Sequence, residues 1–115
     1  LPTVAYEGFG LATAEALASG TPVVGTRVGA TPELLEPLDA SLLARGTDPA
    51  ALAEAIRDGL RLATPTFRAR CRDYAVRHLS WGSILPRWER VLAEAVVSAT
   101  PERATAPAAR VLEKG

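Results

Sequence analysis

The 115-residue sequence has no methionine, one cysteine, one histidine and only 5% aromatic residues. Each shortage excludes something. A single cysteine, Cys71, cannot close an internal disulfide, and a reducing cytoplasm suits it best. The one histidine, His78, has no second imidazole or thiol at ligand spacing, so no protein metal site is predicted. Thirteen basic and thirteen acidic side chains cancel. With no overall field, nucleic acid is not an expected partner, and a membrane could be met only peripherally. No apolar run approaches the roughly 20 residues of a membrane span. The opening LPTVAYEGFG has no basic segment followed by an apolar core, so it does not read as a signal peptide. Without an initiator methionine, the sequence reads as a piece of a longer cytoplasmic protein.

What is present is ordinary for one globular domain: 48% hydrophobic and 23% charged residues. LPTVAY reads as a strand end. Gly8 and Gly10 make a turn, and LATAEALAS follows as a helix of strong helix formers, stopped by Gly20 and Pro22. PVVGT has the β-branched composition of a buried strand. RVGATPELLE enters a short helix, with Pro32 suited to the first helical position and Glu33 to its positive end. SLLA predicts a final strand. TDPAALAEAIRDGLRLA opens on Asp48 as cap and Pro49 at the first helical position. TFRARCRDYAVRHL and SILPRWERVLAEAVVSA predict two further helices, with Pro86 near the start of the second. The fold class is therefore α/β, parallel strands flanked by helices, as in the carboxyl half of a Rossmann-like domain. Residues 1–99 make up this portion, and the polar, proline-containing stretch 100–115 predicts a mobile tail.

The glycine turn carries the chemistry. In open α/β folds, ligands bind beyond the carboxyl ends of strands. The first N–H groups of the next helix lack internal partners and favour an anion, and glycines let the backbone approach a phosphate. Glu7 stands at this crevice. Glu15 lies ~6 Å further along the helix axis from Leu11, at about 1.5 Å per residue. It is the only charge in a helix otherwise apolar almost all round, which predicts burial, and a buried carboxylate needs donors such as the hydroxyls of a ribose diol. Plainer readings stand beside these. The glycines can serve only a tight connection, Glu7 can stabilise the helix dipole, and Glu15 can face water.

YEGFGLATAE resembles the signature of two glutamates separated by seven residues in retaining nucleotide-sugar glycosyltransferases of family four, which have the GT-B fold. ALASGTPVVGTRVGATPELL continues the similarity, and TDPAALAEAI and HLSWGSILPRWERVL extend it weakly to about residue 97. The resemblance implies a donor site for a nucleoside-diphosphate sugar (UDP-, GDP- or ADP-linked), with no cofactor and no metal. Glu7 would orient the donor sugar as the catalytic contact. The backbone of Gly8, Phe9, Gly10 and Leu11 would face the sugar and diphosphate, and Glu15 would hold the ribose. Gly29 to Glu33 match a loop on the rim of the same cleft. Ala30 stands where the family has a second glycine, so a different loop backbone is expected there. The resemblance places the acceptor-binding domain and the basic residues for the leaving diphosphate upstream of this sequence. The acceptor would be a glycan, lipid or small molecule. A non-catalytic nucleotide-sugar binding module and an unrelated α/β interaction domain are the alternatives.

Other candidates read more simply. His78 suits a helix end. Cys71 reads as a packing residue. Arg68, Arg70, Arg72 and Arg77 form a solvated face. Trp81 and Trp88 are expected to anchor the last helix, whose amphipathic face is expected to dock on its own domain.

Overall fold

The computed structural model describes residues 1–99, so the predicted tail at 100–115 lies outside the described residues. Five α-helices and one 3-10 turn follow in order. Helix α1, Leu11–Ala18, starts at Gly10, whose φ of 80° only glycine adopts cheaply. It ends as expected at Gly20, with Gly20 N donating to Leu17 O at 2.9 Å and Thr21 N to Ala16 O at 2.8 Å. Helix α2, Thr31–Leu35, has Pro32 and Glu33 in its first turn. The 3-10 turn Ala40–Leu42 is capped by Asp39, whose Oδ1 accepts from Ser41 N at 2.9 Å and Ser41 Oγ at 2.7 Å. Helix α3, Pro49–Leu62, opens on the predicted cap. Asp48 Oδ1 accepts from Ala50 N and Ala51 N, each at 3.0 Å. Helix α4, Pro65–Leu79, is capped by Thr64, and α5 runs Trp81–Ala99. Pro86 sits in the second turn of α5 rather than at its start, so the ladder bond its N–H would have made is lost.

The predicted parallel sheet is reduced, among the described residues, to one parallel bridge between Gly25 and Leu43. Gly25 N donates to Leu42 O at 3.0 Å, and Ala44 N donates to Gly25 O at 2.8 Å. SLLA is not a strand, because the Asp39 cap draws Ala40–Leu42 into a 3-10 turn and only the residues after it are extended. The opening segment lies beside residues 24–26 without a ladder. The Leu1 main-chain nitrogen donates to Val24 O at 2.6 Å, and Thr26 Oγ1 donates to Thr3 O at 2.5 Å. Pairing does not extend beyond the single Gly25–Leu43 bridge among the described residues.

The core is a cluster of Leu17, Leu34, Leu35, Leu38, Leu42, Leu43, Phe67, Cys71 and Ala75. Helix α4 is its backbone, lying against α1 and beneath the 31–43 segment. Two arginines from the predicted solvated face tie it in place. Arg72 Nη1 donates to Ala18 O at 2.7 Å, while Arg70 Nη2 donates to the carbonyls of Pro37 and Leu38. Ala18 is the last residue of α1, and Pro37 and Leu38 lie just past α2, positions where carbonyls run out of helical partners. Arg70 also stands over the Phe67 ring, 5.5 Å from its centroid.

Two expectations about packing are corrected. Helix α1 is not buried all round. Thr13 and Leu17 face the core, but Leu11 is 67% exposed and Glu15 lies on the open side, because α4 covers only one face. Nor do the tryptophans anchor α5: Trp81 is 75% exposed and Trp88 59%. After the Ser80 corner only Ser83 and Ile84 are partly covered, so Leu85, Val91 and Leu92 remain about half exposed among the described residues. No helix of the described residues is long and apolar enough to cross a membrane.

Candidate functional site

The turn before α1 is built by one side chain and two glycines. Glu7 Oε1 accepts from Gly10 N at 3.1 Å, closing the loop that carries Gly8 and Phe9. The plain expectation for Glu7, an acid at the positive end of a helix, is thus met in the structure. Gly10 has no side chain to cap α1, and the first turn holds no acidic residue. Its N–H groups, beginning with Leu11, therefore end at the crevice without a side-chain acceptor from the cap position. Within that turn, Thr13 is 1% exposed and its Oγ1 has no hydrogen-bond partner among the described residues.

The rim loop packs directly on this turn. Gly29 has φ +55°, and a Cβ built on it would lie 1.7 Å from the Glu7 carbonyl oxygen. Only glycine fits, for both reasons. The expected departure at Ala30 proves harmless: Ala30 has φ −78° and ψ −2°, ordinary helical backbone that alanine adopts freely. The positive-φ demand falls on Gly29 alone in this loop, so the chain keeps glycine where geometry needs it.

The structure brings Glu7, Gly8, Phe9, Gly10, Leu11 and the loop 29–33 together at one edge. Glu15 stands slightly apart, exposed on α1, and its carboxylate makes no hydrogen bond or ion pair among the described residues. It borders an apolar groove of about 500 Å³ with Phe9, Leu11, Trp81, Ile84 and Trp88. The expected burial of this carboxylate is thus not found: exposed on α1, it meets water without needing a partner from the protein.

Sequence reasoning missed a second groove of about 480 Å³ on the other side of Phe9 and Trp88, lined also by Glu33, Tyr74, His78 and Arg87. Tyr74 Oη donates to Glu33 O at 3.3 Å, and its ring lies 4.9 Å from that of His78, tilted by 39°. Burial pushes the Tyr74 phenol up from its ordinary value. No spacing in the sequence links residues 33, 74 and 87. His78 lies in the last turn of α4 as expected, and Cys71 is fully buried.

At this end of the chain the described residues show a glycine turn leading into a helix amino terminus and one parallel bridge. The chain belongs to the family of glycosyl transferases group 1, whose model matches residues 1–61. Membership implies the GT-B fold. The chain is 38% identical over 106 residues, 86% of its length, to a D-inositol 3-phosphate glycosyltransferase of Acidothermus cellulolyticus, covering 23% of that protein. It is 40% identical over 74 residues, 64% of its length, to the enzyme of the same name from Corynebacterium urealyticum, covering 17% of it. A 32-residue stretch, 28% of the chain, is 59% identical to the MMP alpha-(1->4)-mannosyltransferase of Mycolicibacterium hassiacum and covers 8% of that protein. The chain thus spans less than a quarter of the length of these relatives. No solved structure matches.

Proposed function

We propose that residues 7–15 form one wall of a nucleoside-diphosphate-sugar site, within a longer enzyme that transfers a hexosyl group to an acceptor hydroxyl with retention. The observation that carries this reading is the fixed Glu7–Gly10 turn, clamped from outside by Gly29. One Glu7 oxygen holds the turn. The other is available to a sugar hydroxyl, since an ionised carboxylate accepts through both. Gly8, Phe9, Gly10 and Leu11 present backbone to the diphosphate, and the amino terminus of α1 stabilises the charge that develops on the leaving group. Glu15, one turn further on, reaches the ribose diol.

The rest of the reading follows from the family. Transfer needs an acceptor domain and positive groups for the diphosphate, supplied by other parts of the longer protein. The donor is a UDP-, GDP- or ADP-sugar, no cofactor is called for, and the reaction is cytoplasmic. Relatives named for inositol 3-phosphate and mannosyl transfer support a hexosyl donor and a small hydroxyl-bearing acceptor. Calorimetric titration of the full-length protein with UDP, GDP and ADP tests the site: binding by one of them must weaken by roughly ten-fold or more in Glu15→Ala. Transfer from a radiolabelled donor then distinguishes an enzyme from a module that only binds.

A further inference from the structure

We propose that Thr13 is a positioning residue for the donor sugar: its hydroxyl takes over the Gly10 N–H when the Glu7 carboxylate turns to a ligand. Thr13 is 1% exposed, and its Oγ1 has no hydrogen-bond partner among the described residues. Buried hydroxyls are normally paired, because an unpaired one keeps the cost of leaving water with nothing to offset it. A helical threonine can return its hydroxyl to the carbonyl four residues back, but Thr13 makes no such bond. This chain's own residues seal the oxygen. Neither water nor another part of a longer protein reaches it while the turn keeps its shape.

The position of Thr13 identifies the donor it serves. With Gly10 at the cap, Thr13 is the third residue of α1. From there a side chain can reach back to the N–H of the cap residue, as in the second half of a capping box. Oγ1 lies against that glycine, 3.6 Å from where a Cβ on Gly10 would stand. The Gly10 N–H is a single donor, and Glu7 Oε1 now holds it at 3.1 Å. Two acceptors thus flank one donor, and the second is idle. Tied through Oε1, the Glu7 carboxylate offers a sugar one oxygen; released, it accepts from two adjacent hydroxyls. Gly10 is buried, so without Thr13 that release would strand its N–H. The exchange keeps the turn closed while Glu7 moves. Its ligand side rests on the donor reading above, whereas the exchange of acceptors does not.

Thermal unfolding and calorimetry on the full-length protein test the two halves. Thr13→Val removes the hydroxyl and should melt no lower than the parent, because that hydroxyl has no partner to lose. Glu7→Ala should then lower the melting temperature more in the Thr13→Val background than in the parent, where Thr13 can take the Gly10 N–H. Equal losses in the two backgrounds overturn the exchange, whatever the protein binds. For the ligand, UDP, GDP and ADP are compared with UDP-glucose, GDP-mannose and ADP-glucose. In Thr13→Val the diphosphate that binds should keep its affinity, while its sugar derivative weakens about five-fold. Thr13→Ser should restore the sugar derivative, although it lacks the buried methyl group. Equal weakening of both ligands, or of neither, overturns the positioning role. No binding of any probe by the parent refutes the donor reading and the positioning role with it, while the melting temperatures still decide the exchange.

Discussion

Gly29 lies against the main chain of Glu7, so close that a methyl group on its α-carbon would sit 1.7 Å from the Glu7 carbonyl oxygen. The two residues are 22 positions apart in sequence, yet neither can move without the other. Gly29→Ala is expected to cost about 2 kcal/mol or more, from positive φ and the collision together. Ala30→Gly should cost under about 1 kcal/mol, the usual price of added backbone freedom. Urea denaturation of the pair reads the difference, and a Gly29→Ala protein as stable as its parent refutes the contact.

Glu7 has a structural duty separable from its proposed chemical one. Glu7→Ala removes the acceptor of Gly10 N and is expected to lower stability by about 1 kcal/mol, as for a lost helix cap. Glu7→Gln keeps an oxygen for that bond and should recover much of the loss. Thermal unfolding measures both. If Glu7 also orients the donor sugar, transfer falls in the glutamine variant even though its melting temperature is largely restored.

Glu15 should behave in the opposite way. Its carboxylate is exposed and unpaired among the described residues, so Glu15→Ala is expected to change stability by no more than about 0.5 kcal/mol. A charge-assisted bond to a ribose hydroxyl is worth ~1.5–3 kcal/mol, so nucleoside-diphosphate affinity should drop by roughly ten-fold or more. Unchanged calorimetric affinity removes the ribose role.

Asp39 sets part of the acid limb of stability. The Ser41 hydroxyl and then the Ser41 N–H hold its carboxyl below the ordinary 3.8, against a small opposing effect of burial, with a further pull from Arg70. The folded state therefore binds fewer protons than the unfolded state just below that pH. The contribution is complete above the unfolded value and is lost as pH falls through the folded one. Asp39→Ala should be less stable than the parent at neutral pH, and the two should converge as the medium is acidified. A gap that stays constant into strong acid contradicts this.

Cys71 is fully buried, and that burial pushes its thiol up, with Arg70 and Arg68 opposing only in part. Iodoacetamide at neutral pH should leave it unmodified in the folded protein and label it on denaturation, as read by mass spectrometry. Rapid labelling under native conditions would place the thiol outside the core.

Local chemistry was the legible part of the sequence. Asp48 before Pro49 and Gly20 after the alanine-rich run each act within one helical turn, and the structure has both where expected, whereas Pro32 falls one residue inside α2 rather than at its first position. The SLLA strand failed for a reason equally local but overlooked, since Asp39 two residues before Ser41 is a capping arrangement. Burial was harder to read. Composition made α1 look enclosed and Trp88 look anchored, but enclosure depends on which neighbours arrive, and no period in the sequence records that. At the site, Glu7 and the glycines could be found because they adjoin one another. Tyr74 and Arg87 reach their groove from elements far downstream, and nothing in their own neighbourhoods marks them.

The arginines of α4 divide what identifies this chain from what holds its shape. The match to the family ends at residue 61, whereas the carbonyl ends of α1 and of the segment after α2 are held by Arg72 and Arg70. The glycine turn is tethered early in the sequence, by Glu7 and by Gly29, whereas the far end of α1 and the segment after α2 gain their side-chain partners only with the fourth helix. Loss of Arg70 or Arg72 would free those carbonyls and leave the turn's own contacts in place.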